Sequence, residues 1–199
     1  MMLKRFFLAP ALVAMTALPA TAQKLSLDAL SAYLNGMKTV EAEFTQISDD
    51  GSVQTGKLYI KRPGRMRFEY SPPGRALVLA NNNTVAIFDG RSNQPPESYP
   101  LKRTPLSIIL DRTVDLGRAN MVVGHDYDGT ATIVTAQDPE NPEYGNIQLK
   151  FTADPVELRQ WIVNDNAGGR TTVILGATKT DVSLNNRIFD IQRLVRGDK

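Results

Sequence analysis

The single histidine of the chain, His125, opens the polar run His125-Asp126-Tyr127-Asp128-Gly129, which offers imidazole nitrogen and carboxylate oxygen to a cation. Asp-x-Asp alone lacks the other ligands of a calcium loop. Asp128-Gly129 between two alternating segments reads equally as a hairpin tip. The chain has no thiol, no Gly-x-Ser-x-Gly elbow, no phosphate loop and no glycine fingerprint for dinucleotides. An enzyme acting on envelope lipids would need a nucleophile and base beside an apolar site, with His125 as the sole imidazole. The expectation is a protein without catalytic residues, metal or cofactor.

Charge is concentrated elsewhere. Lys57, Lys61, Arg62, Arg65, Arg67 and Arg75 face only Glu69 within one short stretch. This is either the solvated outer face of a sheet or a docking surface for an acidic partner. Arg62 differs from the others, because it precedes Pro63 and shares the phase of Leu58 and Ile60. An inward guanidinium must find acceptors, since burying it without hydrogen bonds is costly.

The elements that position these side chains follow from hydrophobic period. Leu27, Leu30, Leu34 and Met37 form an amphipathic helical stripe behind Ser26, a natural cap. From Glu41 to Phe88 the period becomes two, divided by Asp49-Asp50-Gly51, Arg62-Pro63-Gly64-Arg65, Ser71-Pro72-Pro73-Gly74, Asn81-Asn82-Asn83 and Asp89-Gly90. Such dividers supply a fixed φ or tolerate a positive one, so the segment reads as an antiparallel meander. Leu58, Ile60, Met66, Phe68 and Tyr70 share one face, and Lys57, Lys61, Arg65, Arg67 and Glu69 the other. Strands resume near Met121–Val123, Ala131–Thr135, Ile147–Phe151, Val156–Val163 and Thr171–Thr178, with Ile188–Leu194 as the last, about ten or eleven in all. Residues 91–100 read as a polar loop, and Thr104-Pro105-Leu106-Ser107-Ile108-Ile109-Leu110 as a short helix capped by Thr104. That helix could simply plug the end of the sheet.

The amino-terminal 22 residues read differently. Lys4 and Arg5 precede an apolar run from Phe6 to Leu18 and then Ala20-Thr21-Ala22, the build of a secretory signal peptide. The run is too short to span a bilayer. The expectation is a soluble exported chain with one domain over 23–199 and Gln23 where a lipoprotein would need a cysteine. Removing Lys4 and Arg5 leaves 21 basic and 21 acidic residues, which argues against nucleic-acid binding.

Taken in order, the amino-terminal helix, Glu43-Phe44-Thr45-Gln46, the run Gly56-Lys57-Leu58-Tyr59-Ile60-Lys61-Arg62-Pro63-Gly64-Arg65-Met66-Arg67-Phe68-Glu69-Tyr70, Pro73, and Thr104-Pro105-Leu106 resemble the periplasmic outer-membrane lipoprotein carriers, the LolA family. The resemblance extends to the Asn185–Asp190 segment. It implies a mainly β fold, an incomplete, unclosed antiparallel β-barrel of about eleven strands, covered by a helical lid over an apolar cavity. It implies a monomeric periplasmic chaperone. Such a carrier takes triacylated lipoproteins from an inner-membrane ATP-driven release complex to an outer-membrane receptor lipoprotein, or to the outer membrane itself. Arg62 would then lock the lid. Phe44, Leu58, Ile60, Met66, Phe68, Leu106, Ile108 and Ile109 would line the acyl-chain cavity, and Lys57, Arg65 and Arg67 would dock partners. Family members usually carry tryptophan where Phe68 stands. The alternative on the same fold is a periplasmic carrier or sensor of another lipid or lipoprotein ligand.

Overall fold

The computed structural model describes residues 23–92 and 94–197, so the expected signal peptide lies outside the described residues. Helix α1 spans Leu27–Gly36, and the Ser26 hydroxyl accepts from the Ala29 amide at 3.2 Å, the capping expected there. Its stripe buries Leu30 and Leu34 completely against the inner face of a single sheet.

That sheet has eleven antiparallel strands. The first half is β1 (Thr39–Ile47), β2 (Val53–Lys61), β3 (Arg65–Tyr70), β4 (Leu77–Asn81), β5 (Thr84–Phe88) and β6 (Glu97–Pro100). The second half is β7 (Val122–Tyr127), β8 (Ala131–Gln137), β9 (Gly145–Thr152), β10 (Glu157–Asp165) and β11 (Arg170–Thr180). The spatial order is β6-β5-β4-β3-β2-β1-β11-β10-β9-β8-β7, so the two halves join through the β1–β11 pair. Edges β6 and β7 do not pair with each other, and the barrel stays open. The chain between those edges carries the one-turn helix α2 (Ser107–Leu110).

The alternation read from sequence is the burial pattern of the strands. In β2 and β3, Leu58, Ile60, Met66 and Phe68 are buried in the core while Lys57 faces water. Gly64, at φ 72°, closes the turn between these strands, a conformation that favours glycine.

Four expectations change. The polar loop contains β6, which supplies the eleventh strand. Strand β7 runs on past Val123 through His125 to Tyr127, leaving the hairpin tip at the expected Asp128 and Gly129 together with Thr130. Thr104 does not cap α2; its hydroxyl donates to the Leu101 carbonyl at 2.8 Å, ending the preceding 3-10 turn (Leu101–Arg103). Ile188–Leu194 is not a strand. Asn185 and Asp190 each accept from an amide two or three residues on, Arg187 at 2.9 Å and Arg193 at 3.0 Å, and these side-chain caps start a 3-10 turn (Asn186–Phe189) and helix α3 (Ile191–Val195).

This carboxy-terminal segment lies on the outer face of the sheet against β3 and β4. Outward-facing Leu79 and Ala86, paired in register, are fully buried, as is Phe189. A small apolar cluster thus sits on the outer face of β4 and β5.

Candidate functional site

Arg62 follows β2 directly and is only 9% exposed. Its Nη2 donates to the Asp111 carbonyl oxygen at 2.7 Å and to Asn35 Oδ1 at 3.4 Å. Burial lowers its pKa from the usual guanidinium value, opposed by the charge of Asp111. Its Nε is buried and, among the described residues, has no hydrogen-bond partner. The phase argument from sequence therefore holds: the side chain turns inward and finds acceptors, though not for every donor.

Those acceptors belong to the two elements lying over the open barrel. Asn35 is in the last turn of α1, and Asp111 directly follows α2. The same elements are bonded to each other. Asn35 Nδ2 donates to the Val114 carbonyl at 2.8 Å, and the Val114 amide donates back to Asn35 Oδ1 at 2.9 Å. One turn earlier, Ser31 Oγ accepts from the Leu116 amide at 3.0 Å. Two backbone bonds complete the junction with the sheet, Arg62 N to Lys38 O at 2.9 Å and Gly64 N to Leu110 O at 2.8 Å.

The inner face carries an aromatic cluster toward the other end of β2, where Phe44 and Tyr70 both stand opposite Gly56. Phe44 meets Phe68 edge to face at 5.1 Å and Tyr70 at 5.2 Å, and Phe68 meets Trp161 at 6.3 Å. The Tyr70 hydroxyl donates to Gln46 Oε1 at 2.6 Å, and burial pushes its pKa up to about 12. Leu58, Ile60, Met66, Ile108 and Ile109 belong to the same buried cluster, with half-buried Leu106 packed on it. All eight side chains expected at the cavity thus lie together. A cavity of about 630 Å³ lies outside α2, where Pro63, Leu110, Val114 and Met121 meet Lys102 and Arg112; of the expected eight it includes only Ile108.

The basic side chains do not form an open docking face. Lys57 is exposed, but it stands across the strands from Glu43 on one side and Glu69 on the other. Arg65 and Arg67 are half-buried under the carboxy-terminal segment: Arg65 donates to Asn186 Oδ1 at 3.1 Å, and Arg67 to the Ile188 carbonyl at 2.7 Å and to Glu69 at 2.6 Å. Sequence counting missed the balance because the carboxylates of Glu41 and Glu43 come from the neighbouring strand.

The His125 run does not gather into a metal site. His125 Nε2 is 2.9 Å from the Leu25 carbonyl, while Asp128 pairs with Lys150 at 2.7 Å and accepts from the Thr130 and Ala131 amides. These contacts hold the Asp128 carboxyl well below the usual carboxylate range. Among the described residues no group of three or more His, Asp or Glu is placed to hold a metal ion.

The model of the family described as "Outer membrane lipoprotein carrier protein LolA" matches residues 35–192. The chain belongs to the LolA family. It is similar to a protein from Azotobacter vinelandii named outer-membrane lipoprotein carrier protein, with 27% identity over 90% of each chain. A protein of the same name from Cupriavidus taiwanensis is 28% identical over 82% of each chain. Among solved structures, a Vibrio parahaemolyticus domain named for outer membrane lipoprotein sorting superposes with a TM-score of 0.51 at 8% identity, covering 85% of this chain and 97% of that one. That likeness is one of fold.

Within this LolA-family chain, sequence reasoning missed three contributors. Asn35 and Ser31 show no local signal, because their partners lie 79 and 85 positions away. Trp161 supplies from β10 an indole that packs against Phe68; its shared phase with Val163 was the available clue, whereas Leu158 joins that face only across the register shift before Gln160.

Proposed function

We propose that this protein is a periplasmic chaperone that encloses the acyl chains of lipoproteins released from the inner membrane and delivers them to the outer membrane. In this reading residues 1–22 are removed as a signal peptide and 23–199 act as one carrier domain. Among the described residues no helix is long and apolar enough to cross a membrane. Cargo would come from an inner-membrane ATP-driven release complex and pass to an outer-membrane receptor lipoprotein or to the outer membrane itself.

The observation that carries the reading is the Arg62 junction, which ties α1 and the chain after α2 to one end of the sheet whose inner face holds the buried apolar cluster. Each methylene removed from water contributes about 0.8 kcal/mol, so covering a dozen is worth roughly 10 kcal/mol. Phe44, Leu58, Ile60, Met66, Phe68, Leu106, Ile108 and Ile109 would wrap those methylenes once the junction opens. Arg62 would act as the latch, favouring the state in which protein contacts rather than cargo fill the interior.

The test is mass spectrometry of whatever copurifies with the protein from the periplasm. Triacylated proteins are expected; free phospholipid or glycolipid alone would overturn the reading. No covalent step is involved, so His125→Ala should transfer lipoprotein at the wild-type rate, and a lost activity would reopen the enzyme hypothesis.

A further inference from the structure

Residues 184–189 cross the outer face of β2, β3 and β4 without ladder bonds, held by side chains of the sheet that reach mainly for their backbone. Lys61 Nζ donates to Leu184 O at 2.7 Å, Arg67 to Ile188 O at 2.7 Å and Asn81 Nδ2 to Phe189 O at 2.9 Å, while Arg65 donates to the Asn186 side chain at 3.1 Å. One side chain anchors the segment: Phe189 is fully buried, on the face where Leu79 and Ala86 are also withdrawn from water. After it, α3 has no buried residue.

This is the chemistry of a peptide-recognition surface, with donors aimed at carbonyl oxygens and one apolar socket for an aromatic ring. Backbone carbonyls are common to every sequence, so the face selects little beyond the anchor and the charge. Its charge does not match its present occupant. Lys61, Arg65 and Arg67 line the face, and among the described residues only Arg67 of the three has a carboxylate within ion-pair distance. The segment itself brings a further cation, Arg187. Attachment to the same chain keeps it there, because a tethered segment has a high effective concentration.

We propose that the outer face of β2–β4 is a peptide-binding site, occupied in cis by residues 184–189 and open in exchange to an acidic, aromatic-bearing segment of a partner protein. An acidic occupant would supply the charge complementarity that the tethered segment lacks. This surface is separate from the Arg62 junction, so the inference does not rest on the cargo reading.

The test uses the full chain and two fluorescent peptides spanning residues 182–192, one of native sequence and one carrying Arg187→Glu. Wild type should bind both weakly, because its own segment competes. Phe189→Ala empties the socket and should bind both, with the glutamate peptide at least ~5-fold tighter at low salt and the difference shrinking at high salt. Adding Arg67→Gln should abolish that binding, whereas Arg62→Leu should leave it unchanged. If Phe189→Ala does not fold, Asn186→Gly loosens the segment by removing the Arg65 acceptor and serves in its place. No peptide binding by a folded, loosened variant would overturn the proposal, as would tighter binding of the native peptide. Dimerisation of the loosened variant without peptide would make a second copy of this chain the occupant and overturn the assignment to an acidic partner.

Discussion

Replacing Arg62 by leucine keeps an apolar stem and removes every donor that its side chain brings to the junction. The 2.7 Å contact with the Asp111 carbonyl is charge-assisted, and losing such a bond costs about 1.5 to 3 kcal/mol. The 3.4 Å contact with Asn35 adds little, because that oxygen keeps the Val114 amide at 2.9 Å. Part of the cost is offset, since the guanidinium is buried with its Nε unpartnered and leucine has no such desolvation penalty. The net change is about 1 to 2 kcal/mol against the latched state, shifting its population by roughly 5- to 30-fold. The variant should accept lipoprotein from inner-membrane vesicles normally, because apolar contact supplies the binding. It should unload slowly to acceptor membranes, because relatching competes less well with cargo. Loading and unloading are measured separately in the reconstituted system. Normal unloading, or a defect confined to loading, would refute the latch and leave Arg62 as a structural residue at a strand end.

Asn35→Ala removes both bonds to Val114, at ~1 kcal/mol each, and should speed amide exchange at Val114 and Leu116 by tenfold or more while slowing unloading; unchanged exchange would take α1 out of the latch. A photoreactive acyl chain on bound lipoprotein should mark Phe44, Leu58, Ile60, Met66 and Phe68, whereas labelling confined to Met121, Arg112 and Lys102 would move the cargo to the cavity outside α2. Gly56→Ala places a methyl against the Glu69 carbonyl and 2.8 Å from the Phe44 ring, so it should destabilise the fold by about 1 to 3 kcal/mol and lower the melting temperature by several degrees, measured by calorimetry. An unchanged melting temperature would contradict that close approach of β2, β3 and Phe44.

What the sequence made legible was whatever depends on neighbours. Alternation placed Leu58, Ile60, Met66 and Phe68 inward, the turn residues divided β1 to β5, and the phase of Arg62 set it apart from Arg65 and Arg67 before any partner was known. The misreadings arise where distant chain decides the outcome. Lys57 counts as part of a basic run until Glu43 arrives beside it from β1. The apolar residues of Ile188–Leu194 suggest a strand, but Asn185 and Asp190 offer the backbone a competing local bond, and the segment finds its place through Phe189. Asn35 is one polar residue near the end of an amphipathic helix. Its importance follows only from the chain after α2 returning 79 positions later.

On the proposed carrier reading, the size of the latch would also constrain how cargo leaves. With the Arg62 bond at about 1 to 2 kcal/mol net, and two amide bonds through Asn35 and one through Ser31 at ~1 each, the latch amounts to roughly 4 to 5 kcal/mol. Burying a dozen acyl methylenes contributes roughly 10 kcal/mol, so cargo can displace such a latch and the latch cannot expel cargo into water. Closing becomes decisive only when another apolar surface takes the chains, because transfer between two covered sites nearly cancels the methylene term. A few kcal/mol then sets the direction of the exchange. The unpartnered Arg62 Nε fits that requirement, since an additional acceptor there would deepen the latched state and oppose loading. In the proposed function, a latch of this strength would bias a hand-over between apolar surfaces without preventing its first step.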